Sequence, residues 1–203
     1  MKILIACEFT DTVGREFRAR GHDVTSCDLL PSEGRGNHVV GDVRWELRKQ
    51  WDMIIAFPPC DHLSLSGARW WKKKRLDGRQ RMAIDFFMLF VSHPCGRICI
   101  ENPVGIMSSN YRVAPWRSWS LQYVQPYWFG DSLQKKTCLF LKGLPPLMAT
   151  GIVDRGEIYV TKAGKKRGSA HYMLMPHKDR AKNRSRFHVG MAKAMAVQWP
   201  GKS

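Results

Sequence analysis

The chain is 203 residues long, which suits a single domain, and no apolar run approaches the roughly 18 residues of a membrane-spanning helix. Its 33 lysines and arginines against 17 acidic residues leave a net charge of +16, which favours a polyanionic partner such as nucleic acid over a merely soluble basic surface. The six cysteines are scattered without C-x-x-C spacing, so the sequence argues against a metal site or a disulfide framework and for a reduced protein of the cytoplasm.

Short apolar runs alternate with helical patterns along the chain. The first run, Lys2–Cys7, is too short for a signal peptide and predicts a buried strand, and Thr10 or Asp11 is expected to cap the helix that follows and stops at Gly21. The other predicted strands are His22–Asp28, Asp52–Ala56, Arg97–Ile100, Leu121–Pro126 and Thr137–Leu141, and the other predicted helices are Trp45–Gln50, Met82–Ser92 and Val189–Trp199. This alternation predicts an α/β fold with a doubly wound, mostly parallel sheet.

Polar residues recur at the predicted carboxyl ends of the strands. They are Cys7, Glu8, Asp28, Asp42, the turn Pro58–Cys60 and Glu101. Ligands of open α/β sheets bind outside the carboxyl ends of the strands, so these residues predict one shared site.

Two of these strand ends carry the chemistry. In Phe57–Asp61 (FPPCD) a rigid Pro-Pro turn would hold the Cys60 thiol, and Arg97–Pro103 (RICIENP) ends an apolar run in Glu101. A fixed thiol and a fixed carboxyl group suit attack on an electron-poor ring together with its protonation. The plainer readings are a buried apolar cysteine and an exposed acid at a strand end.

These motifs resemble those of DNA cytosine-5 methyltransferases, in the same order along the chain, and the chain looks like a small phage-type member without a full target-recognition domain. The resemblance implies a single-domain, Rossmann-like methyltransferase sheet. It also implies the nucleophile Cys60 after Pro59, Glu101 acting at N3 of cytosine, and Asn102 bracing the Cys60 loop. The usual residue after the cysteine is Gln, so Asp61 is a departure.

The resemblance further implies that S-adenosylmethionine is the methyl donor and S-adenosylhomocysteine the product. The donor site would comprise Cys7, Glu8, Phe9, Asp28, Leu29, Asp42, Val43 and Pro58. Asp28 follows the second strand, where an acid typically binds ribose hydroxyls, and Asp42 resembles the acid that meets the adenine amino group. For each acid the alternative is a helix cap or a surface charge.

The expected partner is double-stranded DNA, bound by a monomer in a bacterial or phage-infected cell. The segment Phe129–Thr137 resembles the family's Tyr-Gly-x-x-Gln-x-Arg-x-Arg motif, with Lys136 in place of the first Arg and Cys138 in place of the second. The predicted DNA contacts are Ser64, Ser66, Trp70, Trp71, Lys72, Lys73, Lys74, Arg75, Gln134, Lys136, Lys165, Lys166 and Arg167. A solvated basic face is the alternative for the cationic runs.

We expect residues 1–146 to form the catalytic core, 147–186 a short basic insert in place of the recognition domain, and 187–203 a helix that completes the core. So short an insert predicts low sequence specificity. Two alternatives stay open. One is modification of pyrimidine C5 in RNA or in a free nucleotide, and the other is a DNA-binding protein that kept the fold and lost most or all of its activity.

Overall fold

The computed structural model describes residues 1–110, 116–176 and 183–200, except for the side chains of 116 and 166–168. Its strands are β1 (Lys2–Ala6), β2 (Asp23–Asp28), β3 (Asn37–Val40), β4 (Met53–Ala56), β5 (Ile98–Pro103), β6 (Trp119–Val124), β7 (Thr137–Lys142), β8 (Ile158–Val160) and β9 (Lys166–Ser169). The principal helices are α1 (Thr12–Arg18), α2 (Val43–Glu46), α3 (Trp71–Leu76), α4 (Arg79–Val91), α5 (Ile106–Ser109), α6 (Ala170–Met173) and α7 (Val189–Gln198). No helix of the described ranges is both long enough and apolar enough to cross a membrane.

Strands β1 to β7 form one sheet in the order β3-β2-β1-β4-β5-β7-β6. Neighbouring strands from β3 to β5 run parallel, whereas β7 is antiparallel to both β5 and β6. The chain first builds outward from β1 to β3 and then returns to β4 on the other side of β1. The predicted doubly wound, mostly parallel sheet is confirmed, and it has the Rossmann-like arrangement of methyltransferases.

Both faces of the sheet are buried. Ile3 and Ile5 of β1 point into an apolar cluster with α1 and α7, whereas Leu4 and Ala6 point into a second cluster with α4. Strands buried on both faces read as continuous apolar runs, and this is why the sequence predicted β1 and β4 so closely.

Several short elements were not predicted from the sequence, namely strands β3, β8 and β9 and helices α3, α5 and α6. Strand β3 was not predicted, because it lies at the edge of the sheet and its four residues are only partly buried or exposed. Side-chain hydrogen bonds attach it to β2, from Asn37 to Thr25 at 2.9 Å and between His38 and Ser26 at 2.8 Å. The basic insert at 147–186, for which no strand was predicted, contains a β-hairpin in which β8 pairs antiparallel with β9.

The start of α7 packs closely against the segment that joins β6 to β7. A Cβ atom on Gly190 would lie 1.8 Å from the Phe129 carbonyl oxygen. Only a residue without a side chain therefore fits at this position of the helix.

We predict that Gly190→Ala lowers the free energy of unfolding by about 1–3 kcal/mol, because the added methyl group overpacks this contact. Urea denaturation followed by circular dichroism measures the change. Gly96→Ala is the matched control, since Gly96 is exposed and a Cβ atom there meets nothing within 4 Å. Equal midpoints for the two variants would contradict the packing argument.

Candidate active site

The parallel strands bring their carboxyl ends to one edge of the sheet. Ala6 of β1 lies beside Cys27 of β2 and Ala56 of β4, and Ala56 lies beside Ile100 of β5. The residues that follow these positions, among them Asp28 and Glu101, therefore share that edge. The predicted convergence of polar strand ends is confirmed by this register.

The turn that carries Cys60 is fixed from both sides. Pro58 is buried, Pro59 is exposed, and the Pro58 carbonyl accepts a hydrogen bond from the Asn102 side-chain amide at 3.1 Å. The Cys60 carbonyl in turn accepts from the backbone amides of Leu63 and Ser64, both at 3.0 Å. This network ties the thiol-bearing turn of β4 to strand β5.

The segment after the turn also rests on the end of β5. The Leu65 amide donates to the Val104 carbonyl at 3.0 Å, and the Ile106 amide donates to the Leu63 carbonyl at 2.9 Å. The hydroxyls of Ser64 and Ser66, two of the predicted DNA contacts, hydrogen-bond each other at 2.9 Å. This segment is therefore held against the end of β5 by backbone hydrogen bonds.

Glu101 lies one residue past the parallel pairing of β4 with β5, within the longer antiparallel pairing of β5 with β7. The Thr137 hydroxyl hydrogen-bonds its carboxyl group and lies 3.1 Å from the Asn102 carbonyl oxygen. Burial raises the pKa of Glu101, and Lys135 and Thr137 oppose that shift. The carboxyl group consequently keeps its proton to a higher pH than an ordinary glutamate.

Lys135 is a site residue that the motif comparison missed. Its charge interacts with both Glu101 and Cys60, and its Nζ donates to the Arg184 carbonyl at 2.7 Å and the Arg186 carbonyl at 3.4 Å. Burial lowers the pKa of this amine, while the two acidic neighbours raise it.

Lys136, the neighbouring residue, is one of the predicted DNA contacts, and that role stays a prediction. Lys136 is exposed and its Nζ lies 4.4 Å from the centre of the Tyr123 ring. Lys135 and Thr137 are two residues apart, so an extended backbone directs both toward Glu101. This alternation of side chains was the signal in the sequence that could have identified Lys135. Gln134, another of the predicted DNA contacts, is half-buried.

The Cys60 thiol has opposing charges around it. Burial, together with the charges of Glu101 and Asp61, raises its pKa to about 11, and Lys135 opposes this shift. At neutral pH the thiol is therefore protonated. Neutralising Glu101, or moving Lys135 closer, would favour the thiolate.

The loop after β1 carries the predicted donor residues Cys7, Glu8 and Phe9 and is called the donor loop. Hydrogen bonds between Glu8 and the start of α1 stabilise it. The buried Glu8 carboxylate accepts from the amides of Val13 at 2.8 Å and Gly14 at 3.4 Å and so caps α1. Of the two predicted caps, the Thr10 hydroxyl accepts from the Thr12 amide at 3.4 Å, whereas the Asp11 side chain forms no capping hydrogen bond. A carboxylate at this helix N-terminus occupies the place where dinucleotides put their pyrophosphate. S-adenosylmethionine carries no phosphate, so the loop suits it better than a dinucleotide. Beside this capping role, the donor contact of Glu8 stays a prediction.

The rest of the donor loop packs against the segment before α7. Cys7 has a left-handed backbone with φ of 60°, and burial raises the pKa of its thiol. The Arg186 guanidinium lies 6.0 Å from the Phe9 ring and forms two hydrogen bonds, of 2.7 and 2.8 Å, with Glu33. Because the Glu33 amide donates to the Phe9 carbonyl at 2.8 Å, these residues form one connected unit.

Asp28 after β2 and Asp42 after β3 differ in whether one carboxylate oxygen remains without a hydrogen bond from the described residues. Asp28 is half-buried and accepts from the Leu30 amide through Oδ1 at 2.9 Å, and the described residues offer Oδ2 no hydrogen bond. The neighbouring Leu29 side chain is 76% exposed. A free carboxylate oxygen beside an exposed apolar side chain fits the ribose and adenine of S-adenosylmethionine.

Asp42 and Val43 have structural roles. Asp42 caps α2 by accepting from the Arg44 amide at 2.9 Å and pairs with the Arg44 guanidinium at 2.7 Å, and these contacts lower the pKa of Asp42. Val43 is buried in the apolar cluster on the α4 face. For Asp42 the helix cap is what the structure shows, and the side chain of Val43 is part of the core.

A basic segment follows the Cys60 turn. Lys72, Lys73 and Arg75 of α3 are exposed, and Trp70, 51% exposed, precedes them. Trp71 is partly buried, and Lys74 donates to the Asp61 carbonyl at 2.5 Å, so α3 is attached to the turn that carries the thiol.

The β8–β9 hairpin carries the second group of predicted phosphate contacts. Lys165 is exposed just before β9. The side chains of Lys166 and Arg167 lie outside the described residues.

Comparison with known proteins gives similarity in structure only. No protein-family model and no curated protein sequence matches the chain. The Entamoeba histolytica methyltransferase EhMeth matches 75% of this chain over 57% of its own length, with 10% identity and a TM-score of 0.50. A protein encoded within an E. coli prophage and provisionally described as a DNA modification methyltransferase matches 76% of this chain over 52% of its own (17% identity, TM-score 0.49).

The S. pombe Dnmt2 methyltransferase matches 72% of this chain over 50% of its own, with 10% identity and a TM-score of 0.45. The chain thus spans about half the length of these structures. At such identities the likeness to EhMeth shows a shared methyltransferase fold.

We predict opposite shifts of the Cys60 pKa in two variants. Glu101→Gln removes a negative neighbour and lowers it, whereas Lys135→Met removes a cation and raises it above the value of about 11. The rate of Cys60 alkylation by iodoacetamide between pH 7 and 11, followed by peptide mass spectrometry, measures both shifts. Identical profiles for the two variants would contradict the arrangement of charges described above.

Proposed function

We propose that this chain is an S-adenosylmethionine-dependent DNA methyltransferase that modifies C5 of cytosine through a covalent adduct with Cys60. The observation that carries the proposal is the shared environment of three groups. The Cys60 thiol, the Glu101 carboxyl and the Lys135 ammonium interact electrostatically at the carboxyl ends of β4 and β5.

Addition of a thiolate to C6 of cytosine is unfavourable unless the ring accepts electron density at N3. A glutamate with a raised pKa supplies that, because it keeps a proton that it can donate to N3 as negative charge develops there. The Lys135 ammonium stabilises the thiolate before attack. Donation of its proton by Glu101 would turn that residue into an anion, which Lys135 can also stabilise.

Asn102 and Thr137 act on geometry in this proposal. The Asn102 amide holds the Pro58 carbonyl and so fixes the Cys60 turn, and the Thr137 hydroxyl orients the Glu101 carboxyl. Asp28 and Leu29 would hold the donor, which supplies the methyl group to C5. After transfer, loss of the C5 proton and elimination of the Cys60 thiolate regenerate the C5–C6 double bond. No residue is assigned to removal of that proton.

The proposed substrate is double-stranded DNA. The formal charge of +16 suits a polyanion, and the exposed cations of α3 are attached to the Cys60 turn through Lys74. The target base must leave the stack for a thiol to reach C6, so we propose base flipping. The core (1–146), the basic insert (147–186) and the closing segment (187–203) would work as one monomer with low sequence specificity.

One observation favours a second candidate, a DNA-binding protein of this fold with weakened activity. The raised pKa of Cys60 leaves little thiolate at neutral pH. Calorimetric titration with S-adenosylhomocysteine separates the two, since a protein that has lost catalysis together with its donor site gives no binding heat.

We predict that Cys60→Ser abolishes methyl transfer, because a hydroxyl group is a far poorer nucleophile than a thiol at neutral pH. Wild-type protein should form a denaturation-resistant adduct with a duplex that contains 5-fluorocytosine, since fluorine at C5 cannot leave as a proton does. Cys95→Ser is the control, as Cys95 is buried and its Sγ donates to the Trp51 carbonyl, which a hydroxyl can replace. Absence of the adduct in protein that binds donor would refute the covalent mechanism.

The α3 cations should govern the salt dependence of DNA binding. We predict that replacing Lys72, Lys73 and Arg75 by alanine weakens binding and lowers the slope of log K against log salt by up to about 2.7, from 0.9 for each phosphate contact. Fluorescence anisotropy with a labelled duplex at 50–200 mM salt measures it.

The matched control replaces three exposed cations that precede β2, β4 and β5 and so lie at the opposite edge of the sheet, namely Arg20, Lys49 and Arg97. A slope that falls equally in both triple variants would show that binding follows net charge and not the proposed surface.

A further inference from the structure

A cavity of about 340 Å³ lies beside the proposed catalytic groups and has no role in the chemistry described above. Its walls include Asp131, His171, Tyr172, Phe187 and His188, and neither Cys60 nor any of the predicted donor residues lines it. Its volume is at the lower end of the range of small-molecule sites, which is about 300–1,000 Å³. The cavity is thus distinct from the proposed target and donor sites.

Lys135 connects the cavity wall with the surroundings of the catalytic thiol. Its Nζ donates to the carbonyls of Arg184 and Arg186, whose chain segment continues into the cavity wall at Phe187 and His188. The charge of Lys135 acts on His188 on this side and on Cys60 on the other. A ligand in the cavity would therefore lie next to the target position without occupying it.

The cavity combines aromatic walls with buried polar atoms that lack partners. The rings of His171 and Tyr172 meet edge to face at 5.1 Å, and Phe187 is buried beside them. Asp131 Oδ2 and His188 Nε2 are buried, and the described residues offer neither a hydrogen bond. Such atoms normally find a partner in a folded protein or in a ligand. A flat ring with polar edges satisfies both requirements.

The hydrogen-bonding capacities of His188 and Asp131 limit which ligands can bind in the cavity. Burial, with Lys135 and His171 nearby, lowers the pKa of His188 to about 3, so its ring is neutral and offers one donor and one acceptor nitrogen. Asp131 accepts a hydrogen bond from the Gly190 amide, and its Oδ2 lies 3.7 Å from His188 Nδ1, too far for a hydrogen bond, so this oxygen can still take an N–H donor. Every common nucleobase presents an N–H group next to a ring or carbonyl acceptor.

The position of the cavity agrees with a nucleic-acid ligand. Helix α6, which carries His171 and Tyr172, follows directly on the basic β8–β9 hairpin, and the Ala170 amide donates to the Glu157 carbonyl at 2.9 Å at the base of that hairpin. The Arg184 guanidinium lies 6.0 Å from the Tyr172 ring, where a cation could meet a phosphate.

We propose that this cavity is a nucleobase-binding site that takes an unstacked base adjacent to the target in the bound nucleic acid. The inference rests on the proposed function in one respect, that nucleic acid is the partner. A base bound in this cavity would attach the nucleic-acid strand to the protein through contacts with the base, in addition to the attraction between basic residues and phosphates.

Calorimetric titration with each of the four deoxynucleoside monophosphates tests the proposal, with S-adenosylhomocysteine present in excess. We expect at least one nucleotide to bind wild-type protein and to bind Asp131→Asn about tenfold more weakly, the usual effect of losing a hydrogen bond to a charged group. Asp154→Asn is the matched control, because Asp154 also accepts a backbone amide, that of Gly156 at 2.8 Å, and is exposed outside the cavity. Glu101→Gln serves as the probe of the target pocket, because a nucleotide held there would bind this variant more weakly.

The proposal is overturned if no nucleotide binds, if Asp131→Asn binds as wild type does, or if Glu101→Gln alone loses binding, since the nucleotide would then occupy the target pocket. Photocrosslinking of wild-type protein with 5-iodo-deoxyuridine monophosphate needs no variant. Attachment to the peptide that holds His171 and Tyr172 supports the site, and attachment only to the Cys60 peptide contradicts it. A failure of S-adenosylhomocysteine to bind would count against the proposed methyl transfer and leave this test intact.

Discussion

The hydrogen bond from the Asn102 amide to the Pro58 carbonyl joins the two strand ends on which the candidate site depends. Asn102 is 1% exposed, so little water competes for this bond. Without it the Cys60 turn would be attached to β5 only by the backbone contacts of the segment that follows. This buried side chain therefore helps to position the thiol relative to Glu101, and an alanine there would leave the Pro58 carbonyl unsatisfied.

Burial has opposite consequences for the two reacting groups. It raises the pKa of both Glu101 and Cys60, so the carboxyl group keeps a transferable proton to a higher pH, whereas less of the thiol is present as the nucleophilic thiolate at neutral pH. Lys135 counteracts both effects, but it is itself buried and its own charge is disfavoured. The three groups are electrostatically coupled, so removing any one of them changes the pKa values of the other two.

Much of the fold could be predicted from the sequence because the central strands are buried on both faces and so have uninterrupted apolar runs. The edge strand β3 has no such run, and only its pairing with β2 reveals it. At the site, Cys60 and Glu101 were predicted because each follows an apolar strand. Lys135 was missed because motif spacing pointed to Lys136, whereas the alternation of the chain before β7 decides which lysine faces the thiol. The roles of Glu8 and Asp42 depend on where α1 and α2 begin, and the sequence left those boundaries open by a few residues.

The segment from Arg184 to His188 contacts both the donor loop and Lys135 beside the Cys60 thiol. Arg186 is paired with Glu33 and lies over Phe9 of the donor loop, while the carbonyls of Arg184 and Arg186 accept from Lys135 beside the thiol. A molecule that displaces this segment on one side must strain or break its contacts on the other. By thermodynamic linkage, bound donor would then change the affinity for nucleic acid by the same factor as bound nucleic acid changes the affinity for the donor.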